Sequence, residues 1–233
     1  MKLKMQHNNT FSRFESLVGL EKFNEIKNKK ILVVGVGGVG GYVVESLARC
    51  GIENITIVDY DVIDFSNINR QIIALNSTIG LNKVDVLEDR IHDININCKV
   101  TKYKMFLDDD TKDKILNNSY DYIIDCCDDV NAKKLLIKYC VDNNIKIVSS
   151  MGTANKLDPT KLEIVDLRKT INDPLARIMR KFIKEEKINK KIMVLSSKEV
   201  PKKNNSILAS NSFVPPSAGL LISSYIINEI ING

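Results

Sequence analysis

The stretch ILVVGVGGVGGY, residues 31–42, decides the fold. Residues 31–34 are continuously apolar and rich in branched side chains, which predicts a strand buried on both faces. Gly35, Gly37 and Gly40 then fit G-x-G-x-x-G. Residues 38–50 follow as a predicted helix with Val39, Val43, Leu47 and Cys50 on one side. In a strand–turn–helix unit of this kind the first glycine permits a tight turn. The second lets backbone approach a phosphate, and the third lets helix and strand pack closely. The helix N-terminus then faces the anion.

Working outward, strands are predicted at NITIVDYD, CKVTKY, YDYIIDCCD and KIVSSM, with helices at VDVLEDRIHDIN and NAKKLLIKYCVDNN. Alternating strands and helices imply parallel pairing with right-handed crossovers, a doubly wound Rossmann-like α/β sheet. Residues 12–28 read as one or two short helices packing Phe14, Leu17, Leu20 and Phe23. After residue 151 the alternation loosens: LEIVDL and KIMVLSS read as strands, and NDPLARIMRKFIKEE as a helix capped by Asp173 with Pro174 in its first turn. PPSAGLLISSYIINEII reads as a closing helix, and KKNNS, residues 202–206, as a mobile loop. The expected organisation is a helical arm (1–28), a nucleotide-binding core (29–150) and a C-terminal extension of the same domain (151–233) serving substrate and dimer contacts.

Several polar residues fall at the carboxyl edge of the predicted sheet, where such sheets bind ligands. Asp59 and Asp61 close the second strand, and a carboxylate there can bind ribose hydroxyls. DFSNINRQ, residues 64–71, follows at once and brings Ser66, Asn67, Asn69, Arg70 and Gln71 towards the glycine loop. Lys83 opens the next helix. Arg is a fork for phosphate oxygens and Lys a point charge. Two cations beside a glycine loop suit a triphosphate better than a nicotinamide. The only two histidines, His7 and His92, are poor acid–base candidates for a dehydrogenase. The fourth strand ends in DCCDD, where Asp125 or Asp128 could hold Mg²⁺, although Asp128 could equally cap the next helix.

Composition narrows the class. The 233 residues are 44% hydrophobic and 27% charged, and no run approaches the ~20 apolar residues of a membrane helix. Five cysteines form no C-x-x-C pair, none lies beyond Cys140, and the N-terminus has no apolar signal region, so reduced thiols in the cytoplasm are expected. Residues 177–203 hold ten Lys or Arg against three acids, a net +7 in a chain of net +5. Arg177, Arg180, Lys181 and Lys184 recur at helical spacing, so one face can track a polyanion, the alternative being a solvated lysine-rich face.

The set GVGGVGG, DYDVIDFSNINRQ, GLNKVDVLEDRI and DYIIDCCDD resembles, in order and spacing, the adenylating family of ubiquitin-activating enzymes and their bacterial relatives ThiF and MoeB. The resemblance implies ATP and Mg²⁺ as cofactors and attack of a carboxylate on the α-phosphate. Carried onto this chain it implies Gly38 at the nucleotide, Asp59 on the ribose, Asn67, Arg70, Gln71 and Lys83 on the phosphates, and Asp128 on Mg²⁺, with Asp129 beside it. Arg13, in RFESLVG, resembles an arginine that reaches into the partner subunit's site, which implies a homodimer with Arg13 acting in trans. Members that pass the carboxylate to sulfur usually keep a cysteine in the second half and often a zinc-binding C-x-x-C, and both are absent here. LDPTKLEIVDLRKTINDPLARIMRKFIK and SFVPPSAGLLISSYIINEI resemble the branch that dehydrates threonylcarbamoyladenosine next to the anticodon of tRNA. That branch implies cyclisation through an adenylated carboxylate, a tRNA partner docking on Arg177, Arg180, Lys181 and Lys184, and a partner from a sulfurtransferase system. The alternative is activation of the C-terminal glycine of a small sulfur-carrier protein. A non-catalytic nucleotide-binding protein of the same fold is a further one.

Overall fold

The computed structural model describes residues 10–202 and 208–233. Seven strands form one sheet in the order β3-β2-β1-β4-β5-β7-β6. These are β1 (Lys30–Val34), β2 (Asn54–Val58), β3 (Lys99–Tyr103), β4 (Tyr122–Asp125), β5 (Lys146–Ser150), β6 (Leu162–Asp166) and β7 (Met193–Ser197). Every pairing is parallel except the edge pair β6–β7. The expected doubly wound sheet is therefore present, and residues after 151 extend it by two strands.

The helices are α1 (Ser12–Val18), α2 (Leu20–Asn28), α3 (Gly40–Arg49), α4 (Lys83–Ile94), α5 (Lys112–Leu116), α6 (Val130–Asp142), α7 (Pro174–Glu185) and α8 (Val214–Asn232). They cover the sheet on two sides, each with its own core. One core gathers Ile26, Val43, Leu47, Leu87, Ile91, Ile222 and Ile226 from α2, α3, α4 and α8. The other gathers Ile115, Leu136, Ile137, Met179 and Ile183 from α5, α6 and α7. Short α5 has too few residues for a readable period and was not expected. Of the four arm residues expected to pack, Phe14 and Phe23 meet edge to face, but Leu17 and Leu20 are 80% and 61% exposed. α8 is apolar and long enough to cross a membrane by length and composition, yet Ala218, Ile222, Ser223 and Ile226 are fully buried, so it packs as a core helix. The expected loop at KKNNS lies, apart from Lys202, outside the described residues, as does His7.

The strand order reverses between β1 and β4. The turns that leave these two neighbours diverge there, which opens a crevice at the carboxyl edge.

Candidate active site

A cleft of about 640 Å³ fills that crevice. Its floor is the contact between two turns. Gly35 has φ +82°, and a Cβ on it would fall 2.7–2.9 Å from the Cys126–Cys127 backbone. A Cβ on Gly40 would fall 1.8 Å from the Gly35 carbonyl oxygen, so no side chain fits there. Gly40 thus closes the turn from behind, while Gly35, Gly37 and Gly38 face the cleft. A Cβ on Gly38 would stand 3.3 Å from both Arg70 Cγ and Pro215 Cβ.

One wall carries the polar residues read from the sequence. Asp59 is buried, and its two oxygens accept from the Val36 and Asp61 amides at 2.8 and 2.9 Å. Burial raises its carboxyl above the ordinary value, and Lys83, 4.0 Å away, works against that rise. Lys83 is buried and donates to Asp61 at 2.6 Å. Asp61 therefore steers Lys83. Residues 64–67 form a capped turn: Asp64 accepts from the Ser66 amide, and Asn67 Oδ1 accepts from the Asp64 amide. That turn sets Arg70, whose Nη1 donates to Ser66 O at 2.7 Å and Asn69 Oδ1 at 3.0 Å. Ser66 and Asn69, expected at the nucleotide, do not line the cleft; they hold Arg70 from behind. Among the described residues nothing bonds its other guanidinium nitrogens, which can meet an anion. Gln71 is buried beside Gly37 with Oε1 unpartnered among the described residues, a polar atom that calls for a ligand.

At the end of β4 the rival readings of the acidic pair separate. Asp129, not Asp128, caps α6, accepting from the Ala132 amide at 2.8 Å. Asp128 lines the cleft and forms no hydrogen bond or ion pair among the described residues. Asp125 cannot hold a cation as considered from sequence. It is fully buried, paired with Lys133 at 3.0 Å and bonded to Ser149 at 2.5 Å. Among the described residues no group of three or more His, Cys, Asp and Glu converges. A hard oxygen donor such as Asp128, completed by phosphate and water, nevertheless fits Mg²⁺. The glycine cradle, the unpartnered Gln71 oxygen and the adjoining cations fit ATP.

Burial pushes every thiol up: Cys50 to about 11, Cys98 to about 12, and Cys126, Cys127 and Cys140 further. Only Cys126 and Cys127 line the cleft, and both stay protonated at neutral pH.

Of the opposite wall, the sequence marks only Asp173 and Pro174 at a helix start and the MGTANK stretch, residues 151–156, as part of the substrate pocket. That wall comprises Met151–Lys156 after β5 and Asp173–Leu175 at the start of α7, while Met105–Leu107, after β3, lies on the Asp59 side, where Phe106 meets Tyr60 edge to face. None of these stretches carries a spacing pattern, although two buried charges, Lys156 and Asp173, mark the place once the fold is known. Asp173 caps α7 as expected. On α7, Arg177, Lys181 and Lys184 are exposed, but Arg180 turns inward and donates to Thr170 O and Oγ1. Arg180 is half-buried and spends Nη1 on bracing Thr170, unlike its three exposed neighbours on this helix. Arg13 is exposed on α1 and does not line this chain's own cleft.

A doubly wound sheet with a glycine cradle, flanking cations and a carboxylate without a partner among the described residues defines a nucleotide-binding α/β protein built for phosphate chemistry. The chain belongs to the ThiF family, whose model matches residues 11–226. It is 38% identical to tRNA threonylcarbamoyladenosine dehydratase of Bacillus subtilis (strain 168), over 95% of this chain and 94% of that protein. It is 41% identical to the Escherichia coli (strain K12) protein of the same name, over 73% of this chain and 63% of that one. The solved structure of E. coli tRNA N6-threonylcarbamoyladenosine dehydratase in complex with ATP matches with a TM-score of 0.91 at 33% identity, covering 96% of this chain and 94% of the other.

Proposed function

We propose that this protein is an ATP-dependent enzyme that dehydrates threonylcarbamoyladenosine next to the anticodon of tRNA, in the cytoplasm. The observation that carries this reading is a cleft rich in phosphate-binding groups but without a nucleophilic thiol. Cyclisation onto an adenylated carboxylate needs no thiol, because the acceptor belongs to the substrate itself.

The carboxylate oxygen of the modification attacks the α-phosphorus of ATP, and the bond to pyrophosphate breaks. A nitrogen or oxygen of the same side chain then attacks the activated acyl carbon. It loses its proton, and the acyl–oxygen bond breaks to release AMP, so the net change is loss of water. Arg70 and Lys83 face the charge that develops on the phosphates, and cations prearranged in this way typically contribute about 10²–10³ in rate. Asp59 and the Val36 amide set the ribose end, and the apolar stretch Met105–Leu107 offers the nucleobase a dry wall. Asp128 would hold Mg²⁺, which supplies charge neutralisation at the phosphates. Arg177, Lys181 and Lys184 present a cationic face to the tRNA backbone.

The same reading includes a homodimer in which Arg13 completes the partner's site; its exposure on α1, beside exposed Leu17 and Leu20, supports this. It also includes a sulfurtransferase-system protein as a further partner. AMP formation followed with labelled ATP tests the reading. AMP should accumulate only with tRNA carrying the modification, and AMP formed equally with unmodified tRNA would defeat it.

A further inference from the structure

Lys156 sits where three elements around the cleft meet, and adenylation uses neither it nor its partner. Its side chain is 1% exposed and lies 3.2 Å from Asp173 Oδ2, whose side chain is fully buried. Lys156 Nζ also donates at 2.6 Å to the carbonyl of Gly152, two residues past β5. Asp173 Oδ1 accepts from the Ala176 amide at 2.9 Å and so starts α7. The Lys156 carbonyl accepts from Asn211 Nδ2 at 2.6 Å. Asn211 Oδ1 in turn accepts from the Phe213 and Val214 amides at 2.8 and 3.0 Å, where α8 begins. Pro215, in the first turn of α8, stands 3.3 Å from the place a Gly38 Cβ would take. One residue thus joins the end of β5 to the starts of α7 and α8, and α8 abuts the glycine loop.

A buried ion pair is not the obvious route to stability, since apolar residues of similar volume often serve as well or better. What a satisfied polar network adds is a fixed relative arrangement of the elements it bridges. The seating here is tight: a Cβ on Gly152 would stand 3.2 Å from Asp173 Oδ2. Lys156, Asp173 and Gly152 all line the cleft, and α7 carries Arg177, Lys181 and Lys184 outward from it.

We propose that Lys156 and Asp173 are positioning residues that hold α7 in register with the glycine loop. A polyanion seated on α7 then presents its reacting carboxylate to the nucleotide. The identity of that polyanion rests on the proposed function; the register does not.

Lys156→Met alone leaves Asp173 as a buried charge without a partner and can unfold the chain. The decisive variant is therefore Lys156→Met with Asp173→Asn, in which Met keeps the apolar stem and Asn keeps the helix cap. Two readouts apply. In the wild type, Mg²⁺-ATP alone should slow hydrogen exchange at the Ala176 and Arg177 amides, and the double variant should lose that response while still binding ATP. With modified tRNA and ATP both saturating, single-turnover dehydration by the double variant should fall about 10²-fold, the scale of a displacement of about 1 Å at a reacting centre. Its affinities for tRNA and ATP should stay close to wild type. Wild-type α7 amides indifferent to ATP would overturn the proposal, as would a folded double variant turning over at the wild-type rate. A wild type that shows the exchange response but dehydrates nothing would support the register and contradict the proposed function instead.

Discussion

The two walls of the cleft share one sheet but are assembled differently. The nucleotide wall takes its groups from strand ends and helix starts that recognisable motifs mark one by one: Gly35–Gly40, Asp59, Asn67–Gln71, Lys83 and Asp128. Some of its contacts are local, as when Arg70 binds the carbonyl of Ser66, four residues away, and others join the ends of neighbouring elements, as Val36 to Asp59 and Lys83 to Asp61. The opposite wall depends on pairings across 17 residues (Lys156 to Asp173) and 55 residues (Asn211 to Lys156), in stretches that carry no motif of their own. Local spacing can encode the first wall because turn geometry converts spacing into position. Only the completed fold can assemble the second, because nothing in the sequence pairs Lys156 with Asp173.

The sharpest way to break the comparison is at the floor on which both walls rest. Gly40→Ala places a methyl 1.8 Å from a backbone oxygen. It should cost at least about 3 kcal/mol and abolish ATP binding, as read by thermal melting and nucleotide titration. A Gly40→Ala protein that melts and binds ATP like the wild type would show that the turn is not the cradle.

On the nucleotide wall, Arg70→Ala and Asp128→Ala should fold normally, since neither side chain is buried, and lose about 10²–10³ in turnover. Single-turnover rates at saturating ATP check this. The outward face of α7 should respond in binding. Lys181→Ala and Lys184→Ala should each weaken tRNA binding and lower the slope of log affinity against log salt by about 1. Arg180→Ala should leave that slope alone and instead lower the melting temperature, because Arg180 braces Thr170. Equal salt slopes for all three variants would erase the distinction between face and brace.

Away from both walls, Glu45 on α3 binds Arg90 of α4 at 2.6 Å and Arg49 at 2.7 Å. Burial raises its carboxyl, but the bonds to Arg90 and Arg49 outweigh this and hold it below the ordinary 4.5. The stabilisation is therefore present above the ordinary carboxylate value and lost as pH falls through the lowered one. Glu45→Gln should be about 1–2 kcal/mol less stable at neutral pH, with the gap closing in acid. Melts across pH test the sign. The smallest effect concerns the thiols. All five cysteines should resist iodoacetamide in the native protein at pH 8 and react once unfolded. Rapid native alkylation of Cys126 or Cys127 would reopen a thiol mechanism.

The sequence was most informative where a backbone requirement or a helix start fixed the residue type. Gly35, Gly40, Asp59 and Lys83 stand where their pattern placed them, and Asp173 caps α7. It was least informative where the choice between neighbours depends on side-chain direction. Asp128 and Asp129 are adjacent, and only the φ, ψ of the turn decides which one caps α6. Arg180 and Lys181 are adjacent on α7, and only packing against Thr170 turns one of them inward. Leu17 and Leu20 read as core because they are apolar, but α1 meets the body through its phenylalanines.

The most direct measurement is nucleoside mass spectrometry of tRNA carrying threonylcarbamoyladenosine, incubated with the protein and Mg²⁺-ATP and then digested gently. The account predicts that this nucleoside loses one water, only with ATP present, and that Arg70→Ala abolishes the loss. An unchanged nucleoside alongside demonstrable ATP binding would contradict it.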